Sequence, residues 1–419
     1  MKSIIIALFV ISVFQITGCT SKTKNNKQIV PKSPQPQLQN ELKQMLELTW
    51  SAGVPMPQGL QDNAVQVINN WLISVGGFCG GRDADWKKGK YTRGFLNKVW
   101  GLNLKDKVSG WVELPSLPAD KRQAMISTVI NNKMYVWGGF SYTKPYTYKD
   151  GYRISQKNGK FIWEKMPNLP WPLMWSGVYT YGSKIYLLGG ADYDKKRFYT
   201  AQDRTGKIKH LGSRMLVLDT EDLKAGWRQI NSFPGTPRCY TTSAVIDNKF
   251  YVIGGVTVSD SGAYMNVVDN WSYDPESDTW QRLRDCPISA SGSIGMKVYK
   301  NRYIILPASY QYENYLKLDG TSAPKYAEGS IVKRTWKNHP HLEGMHYFNH
   351  VFVYDSKTNL FGTANNLPFD DAVPPTIILG NILYLFANET AGFVWDGEYF
   401  GHQPEFVLKG KIEELNWEK

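Results

Sequence analysis

The chain has 419 residues, with 49 Lys and Arg against 37 Asp and Glu, a formal charge of +12 and a pI near 9.2. A hydrophobic fraction of 42%, with 15 Trp and 25 Tyr, excludes a disordered or collagen-like polymer, because that much apolar surface can offset the entropy of ordering the chain. The charge carries no information about fold but makes nucleic acid, anionic lipid or an acidic glycan the natural partners.

Lys2, the apolar run from Ile4 to Val13 and the small-residue stretch Thr17-Gly18-Cys19 have the three zones of a secretory signal. The run is shorter than the roughly 20 residues needed to cross a bilayer. Gly18-Cys19 resembles the lipobox of bacterial lipoproteins, which implies cleavage after residue 18, lipidation of Cys19 and an outer-membrane location, facing either the cell surface or the periplasm. Residues 19–41, rich in Lys, Asn, Pro and Gln, lack apolar periodicity and read as a flexible tether. Export argues against nucleic acid. Cys79, Cys239 and Cys286 would then sit where disulfides are tolerated. Their spacing fits no metal site, and pairing of Cys239 with Cys286 stays open.

From Leu48 onward the sequence repeats. Alternating apolar residues run into a Gly-Gly pair at Trp71 to Gly77, Met134 to Gly139, Ile185 to Gly190 and Phe250 to Gly255. After each comes another alternating segment, then a Trp with a Pro-containing tail: Trp111 to Pro115, Trp163 to Pro167, Trp227 to Pro234 and Trp280 to Pro287. Each unit reads as four strands, with the glycines ending the second and the Trp opening the outermost. The pattern resembles the Kelch repeat, which implies an all-β propeller. Two weaker copies follow. Tyr303 to Ala308 goes with Val351 to Asp355, and Ile382 to Ala387 with Phe393 to Asp396. The last copy lacks a Trp strand, and Leu48-Thr49-Trp50 supplies one from the other end of the repeat region, removing two free sheet edges. The expectation is one propeller over residues 42–419, with six blades and seven as the fallback, acting as a monomer.

In such a blade the start of the innermost strand and the end of the second share one mouth around the axis. Long exits at 140–152, 191–214 and 309–347 load that mouth, and loops of this length are commonly functional. Arg238 and Tyr240, two apart and expected to point alike, offer a guanidinium for a carboxylate beside a phenol acting as acid or base. His346 and His350 share strand parity and complete the expected catalytic set. Arg122, Arg197 and Arg214 are expected anion binders, Trp175 and Tyr310 sugar contacts, and Glu389 a base or ion-pair partner near the axis. No cofactor is called for. The histidines show no set of three or four convergent zinc ligands, although a divalent metal bridging them stays open.

Two kinds of carbohydrate-active propeller share these features. Polysaccharide lyases and sugar dehydratases of this fold eliminate across a uronate, for which Arg neutralises the carboxylate and Tyr or His moves the proton. The chain also resembles the N-acetylneuraminate epimerases, exported six-bladed Kelch proteins that act as sialic acid mutarotases. The resemblance lies in Trp111 to Pro118 leading to Arg122, in Glu313-Asn314-Tyr315 and in Glu389 to Gly392. That family places a Glu directly after the glycine of one blade and an Arg a few residues on, whereas the comparable stretch here continues Gly254-Gly255-Val256 with neither residue. Charge, export and mouth chemistry therefore give β-elimination on an acidic oligosaccharide or polysaccharide as the expectation. Sialic acid mutarotation is the first alternative and non-catalytic glycan binding the second.

Overall fold

The computed structural model describes residues 42–80, 93–106, 109–241, 243–258, 262, 264–286, 297–312, 315–316, 322–323, 345–390 and 392–418, giving only the backbone course between 308 and 348. It is an all-β propeller of six four-stranded blades. Blade 1 comprises Ala64–Ile68, Trp71–Cys79, Gly94–Asn103 and Trp111–Leu114, and blade 2 Ile126–Ile130, Lys133–Trp137, Gly151–Lys157 and Lys160–Met166. Blade 3 is built from Gly177–Tyr181, Lys184–Leu188, Met215–Asp219 and Arg228–Ile230, and blade 4 from Ala244–Ile246, Lys249–Val252, Trp271–Asp274 and Thr279–Arg282. Lys297–Tyr299, Tyr303–Tyr312, Met345–Asp355 and Leu360–Ala364 make blade 5. In blade 6, Thr376–Leu379, Ile382–Phe386 and Val407–Glu414 are completed by Leu46–Ala52, which pairs antiparallel with Val407–Glu414 from Leu46 opposite Glu414 to Ala52 opposite Leu408. The expected closure is thus present.

One strand differs from expectation. Phe393–Trp395, anticipated as the third strand of blade 6, forms a short hairpin with Glu398–Phe400. Asp396 and Gly397 between them have φ of +48° and +81°, the primed-turn conformation that folds a chain back after two residues. The alternating run therefore reverses before it can become a blade strand.

The repeated residues hold neighbouring blades together. At Gly138 φ is +63°, and a Cβ there would lie 2.0 Å from the carbonyl oxygen of Leu173, which leads into blade 3. The Gly139 amide donates to that same oxygen at 3.0 Å, as Gly77 does to Arg122 at 3.0 Å and Gly190 to Arg238 at 2.9 Å. The second glycine of each of these blades is thereby bonded to the chain entering the next. On the outside the tryptophans reach the other way. Nε1 of Trp50 donates to Asn366 O at 2.7 Å, Trp111 to Val54 O at 3.2 Å and Trp163 to Pro115 O at 2.8 Å. Between these tethers the blades bury mixed clusters, such as Trp137, Leu169, Ile185, Leu187 and Leu216 between blades 2 and 3, each large side chain contributing about 1.5–3 kcal/mol by leaving water. Cys79, Cys239 and Cys286 are buried free thiols, and burial pushes the Cys239 thiol far above its usual value.

Candidate active site

A ring of strained residues surrounds the axis at the mouth. Just before each inner strand, one residue bridges to the residue following the second strand's turn: Gln61 to Phe78, Gln123 to Phe140, Met174 to Ala191 and Cys239 to Val256, with Ala372 paired to Glu389 in blade 6. The next residue in each case is left-handed, with φ of +52° at Asp62, +58° at Ala124, +51° at Trp175, +54° at Tyr240 and +57° at Val373. None of the five is glycine. The conformation lets the chain turn from the bridge into the inner strand, and it costs about 1–3 kcal/mol per residue unless the surroundings enforce it.

Aromatic rings floor the mouth. Trp175 and Tyr240 stack with centroids 4.1 Å apart, and Trp175 meets Phe198 at 4.8 Å and Phe140 at 5.2 Å. The indole Nε1 of Trp175 donates to Asp62 Oδ2 at 3.4 Å, and Gln123 Nε2 donates to the same oxygen at 3.2 Å. Asp62 N donates to Asn388 Oδ1 at 2.8 Å, Asn388 Nδ2 to Ala372 O at 2.6 Å, and Asn388 N to the Asp371 carboxyl at 3.2 Å. Asn388 thus ties the backbone of one buried acid, Asp62, to the carboxyl group of another, Asp371, across the junction of blades 1 and 6. Burial pushes Asp62 up to about 7, against the pull of its bonds with Trp175 and Asn388. Asp371 is raised well above the carboxylate range, mainly by burial and further by Glu389, against its backbone hydrogen bonds. Tyr142 is about half exposed as a residue, and its hydroxyl is held above its usual value by partial burial and by Glu389 and Asp62, with Arg93 pulling the other way. Asp62, Tyr142, Glu389 and Arg93 therefore share one electrostatic neighbourhood. Among the described residues no group of three or more His, Cys, Asp or Glu is arranged to hold a metal ion.

Trp175, Tyr240 and Glu389 take up the axial positions expected of them. Arg238 and Tyr240 do not point alike. The guanidinium of Arg238 is fully buried, donating to Thr236 O, Gly254 O, Asp269 O and, at 2.6 Å, Asp269 Oδ1. Arg122 occupies the equivalent place in blade 2. It is 2% exposed, bonded to Asp120 O, Gly138 O and both Asp150 oxygens, and stacked 3.7 Å over Tyr148. Both arginines clasp their own blades, and this engagement withholds them from a ligand. Arg197 sits in the hairpin arm that carries Phe198 onto Trp175, its guanidinium 4.5 Å over Tyr199. Arg214 lies farther out, bonded to Lys209 O and Gln229 Oε1. His350 is in the third strand of blade 5, with Nδ1 3.2 Å from Asn366 Oδ1 near the outer edge rather than the axis. The side chains of Tyr310 and His346, and all of Cys19, lie outside the described residues. Asp371 lies in the entering segment Asp370-Asp371 that strand order places at this face, whereas Asp62, Asn388, Tyr142 and Arg93 are members of the site that residue-type reasoning overlooked. Asp62 was detectable by aligning Gln61-Asp62-Asn63 with Met174-Trp175-Ser176 in the repeat frame.

Strand order and the repeated blade contacts together define a six-bladed Kelch-type propeller. A family model described as N-acetylneuraminate epimerase matches residues 208–385, under half of the chain. The N-acetylneuraminate epimerase of Haemophilus influenzae (strain 86-028NP) is 28% identical over 203 residues, which is 48% of this chain and 53% of that protein. The enzyme of the same name from Salmonella typhimurium (strain LT2) is 26% identical over 182 residues, or 42% and 47% of the two chains. The chain spans about half the length of the curated relatives it matches. The solved structure of YjhT aligns with a TM-score of 0.58 and 14% identity over 86% of this chain and 99% of YjhT, a likeness of fold alone. These relatives overturn the expected lyase. They are named for epimerisation, an isomerase chemistry, and neither carbon–oxygen elimination nor polysaccharide breakdown has support among them.

Proposed function

We propose that the protein is a mutarotase of N-acetylneuraminate or a closely related acidic keto sugar, working at the axial mouth. The observation that carries this reading is the ring position of Glu389. Glu389 bridges to Ala372 in blade 6 as Val256 bridges to Cys239 in blade 4. The carboxylate absent after Gly255 is therefore present at the equivalent ring position two blades on. Arg93, which shares the Tyr142 neighbourhood with Glu389, takes the part of the guanidinium missing from blade 4.

The reaction needs one base and one acid. Glu389 removes the proton of the anomeric hydroxyl while the Tyr142 hydroxyl donates to the ring oxygen. The bond between that oxygen and the anomeric carbon breaks, leaving an open-chain keto acid. Rotation exposes the other carbonyl face, and reclosure returns each proton to its donor. Trp175 and Tyr240 support the sugar from below, and Arg93 pairs with its carboxylate. Burial shifts Asp371 toward its neutral form, which lessens negative charge where an anionic sugar must bind. Lipidation at Cys19 would hold the enzyme at the membrane where such sugars enter.

Exchange between the two anomers of free N-acetylneuraminate, followed by proton NMR, tests the proposal. The protein should accelerate exchange beyond buffer alone, and Glu389→Gln should lower the rate about 100-fold or more while the chain stays folded. A folded protein that leaves the spontaneous rate unchanged would falsify the reading.

A further inference from the structure

We infer that the cleft between blades 1 and 2 is a second sugar subsite, so that the preferred substrate is an acidic oligosaccharide presenting its reducing end to the mouth. The inference rests on the mutarotase reading for the unit at the mouth.

The cleft has a volume of about 590 Å³ and is lined by Phe95, Asn97, Lys121, Ser141, Thr143 and Lys144 among others. That volume lies within the roughly 300–1,000 Å³ of small-ligand sites. Its walls are fixed before any ligand arrives. Asn97 Nδ2 donates to Leu117 O at 3.2 Å, the Ser141 hydroxyl is 2.9 Å from Tyr148 Oη, and the Tyr148 ring rests on the clasped Arg122. Preorganisation of this kind reduces the entropy lost on binding.

The chemistry of the lining favours a sugar acid. Lys121 and Lys144 are exposed, and among the described residues neither is in an ion pair, while Asp120 is the one carboxylate in the lining. Two ammonium groups against one carboxylate suit an anion. The Phe95 ring and the exposed Thr143 suit the apolar face and hydroxyl edge of a pyranose, and a bare phosphate would leave them unused.

A chain of packed rings links the cleft wall to the mouth. Phe95 lies 4.9 Å from the Tyr142 ring, which is 6.1 Å from Phe140, itself in contact with the Trp175 floor. Tyr142 packs between Phe95 and Phe140 and belongs to the same loop as Ser141, Thr143 and Lys144.

Calorimetric titration of disialic acid and of free N-acetylneuraminate, with anomer exchange followed on both, tests the inference. Disialic acid should bind more tightly than the monomer. A Lys121→Ala/Lys144→Ala double variant should lose about tenfold in disaccharide affinity, from two exposed ion pairs, and keep the exchange rate on the monomer. Equal affinity for the two sugars, or a double variant indistinguishable from the parent, overturns the subsite. Exchange on the monomer with no lysine effect removes the subsite and leaves the mutarotase. Lysine-dependent disaccharide binding without exchange on either sugar removes the mutarotase and leaves a binding cleft.

Discussion

At Tyr240 a single dihedral angle explains why residue spacing misled. Residues two apart in a strand share a face, so Arg238 and Tyr240 were expected side by side. With φ at +54° Tyr240 stands at a turn, and its ring goes to Trp175 while Arg238 goes to Asp269. The same local geometry hides Asp62, whose segment has no apolar or basic signal of its own. Its burial has a measurable consequence. The folded Asp62 keeps its proton up to about 7, whereas an unfolded Asp releases it near 3.9, so stability falls as pH rises between those values and stays lower above them. The penalty above pH 7 is at most about 4 kcal/mol, from roughly 1.4 kcal/mol per pH unit. Asp62→Asn keeps an acceptor for Trp175 and Gln123 and tolerates the left-handed backbone. Its melting temperature should exceed the parent's at pH 8, with the gain shrinking toward pH 4. A gain independent of pH in scanning calorimetry would show that Asp62 is not protonated in the fold.

Among elements, the blades were legible because two of their signatures are contacts between blades. A Gly-Gly that must admit a neighbour's carbonyl, and a Trp that must reach a neighbour's tail, recur at fixed places in the chain. Blade 6 was misread where neither signature survives and an Asp-Gly turn interrupts the alternation. Gly138→Ala puts a Cβ against Leu173 O in a left-handed conformation, so it should destabilise the fold by about 3 kcal/mol or more. Urea unfolding measures this directly, and a midpoint unchanged from the parent would contradict the contact. The axial trio Trp175, Tyr240 and Glu389 was legible from strand order alone. The carboxyl network was not, since Asp62 and Asn388 meet only when blades 1 and 6 are neighbours.

For the whole molecule, Arg122 and Arg238 spend their charge on the blades themselves, against Asp150 and Asp269. The meeting of blades 1 and 6 has a further implication for how the protein matures. Blade 6 draws its outer strand from residues 46–52 and its other three from residues 376–414. Asp62 follows the early strand closely, whereas Asp371, Asn388 and Glu389 come with the late ones. During synthesis the early half of the site therefore waits for more than 300 residues before its counterpart exists. Ring closure and the assembly of the acids become one event. Trp50→Ala, which removes a closing hydrogen bond and about 3 kcal/mol or more of packing, should therefore reduce anomer exchange at temperatures where circular dichroism still reports intact blades. Parallel loss of the two signals would mean that the junction melts with the rest of the ring. Loss of exchange ahead of the blades would instead give the proposed mutarotase a built-in proofreading step, in which a chain that has not joined its first strand to its last displays a propeller without a working mouth.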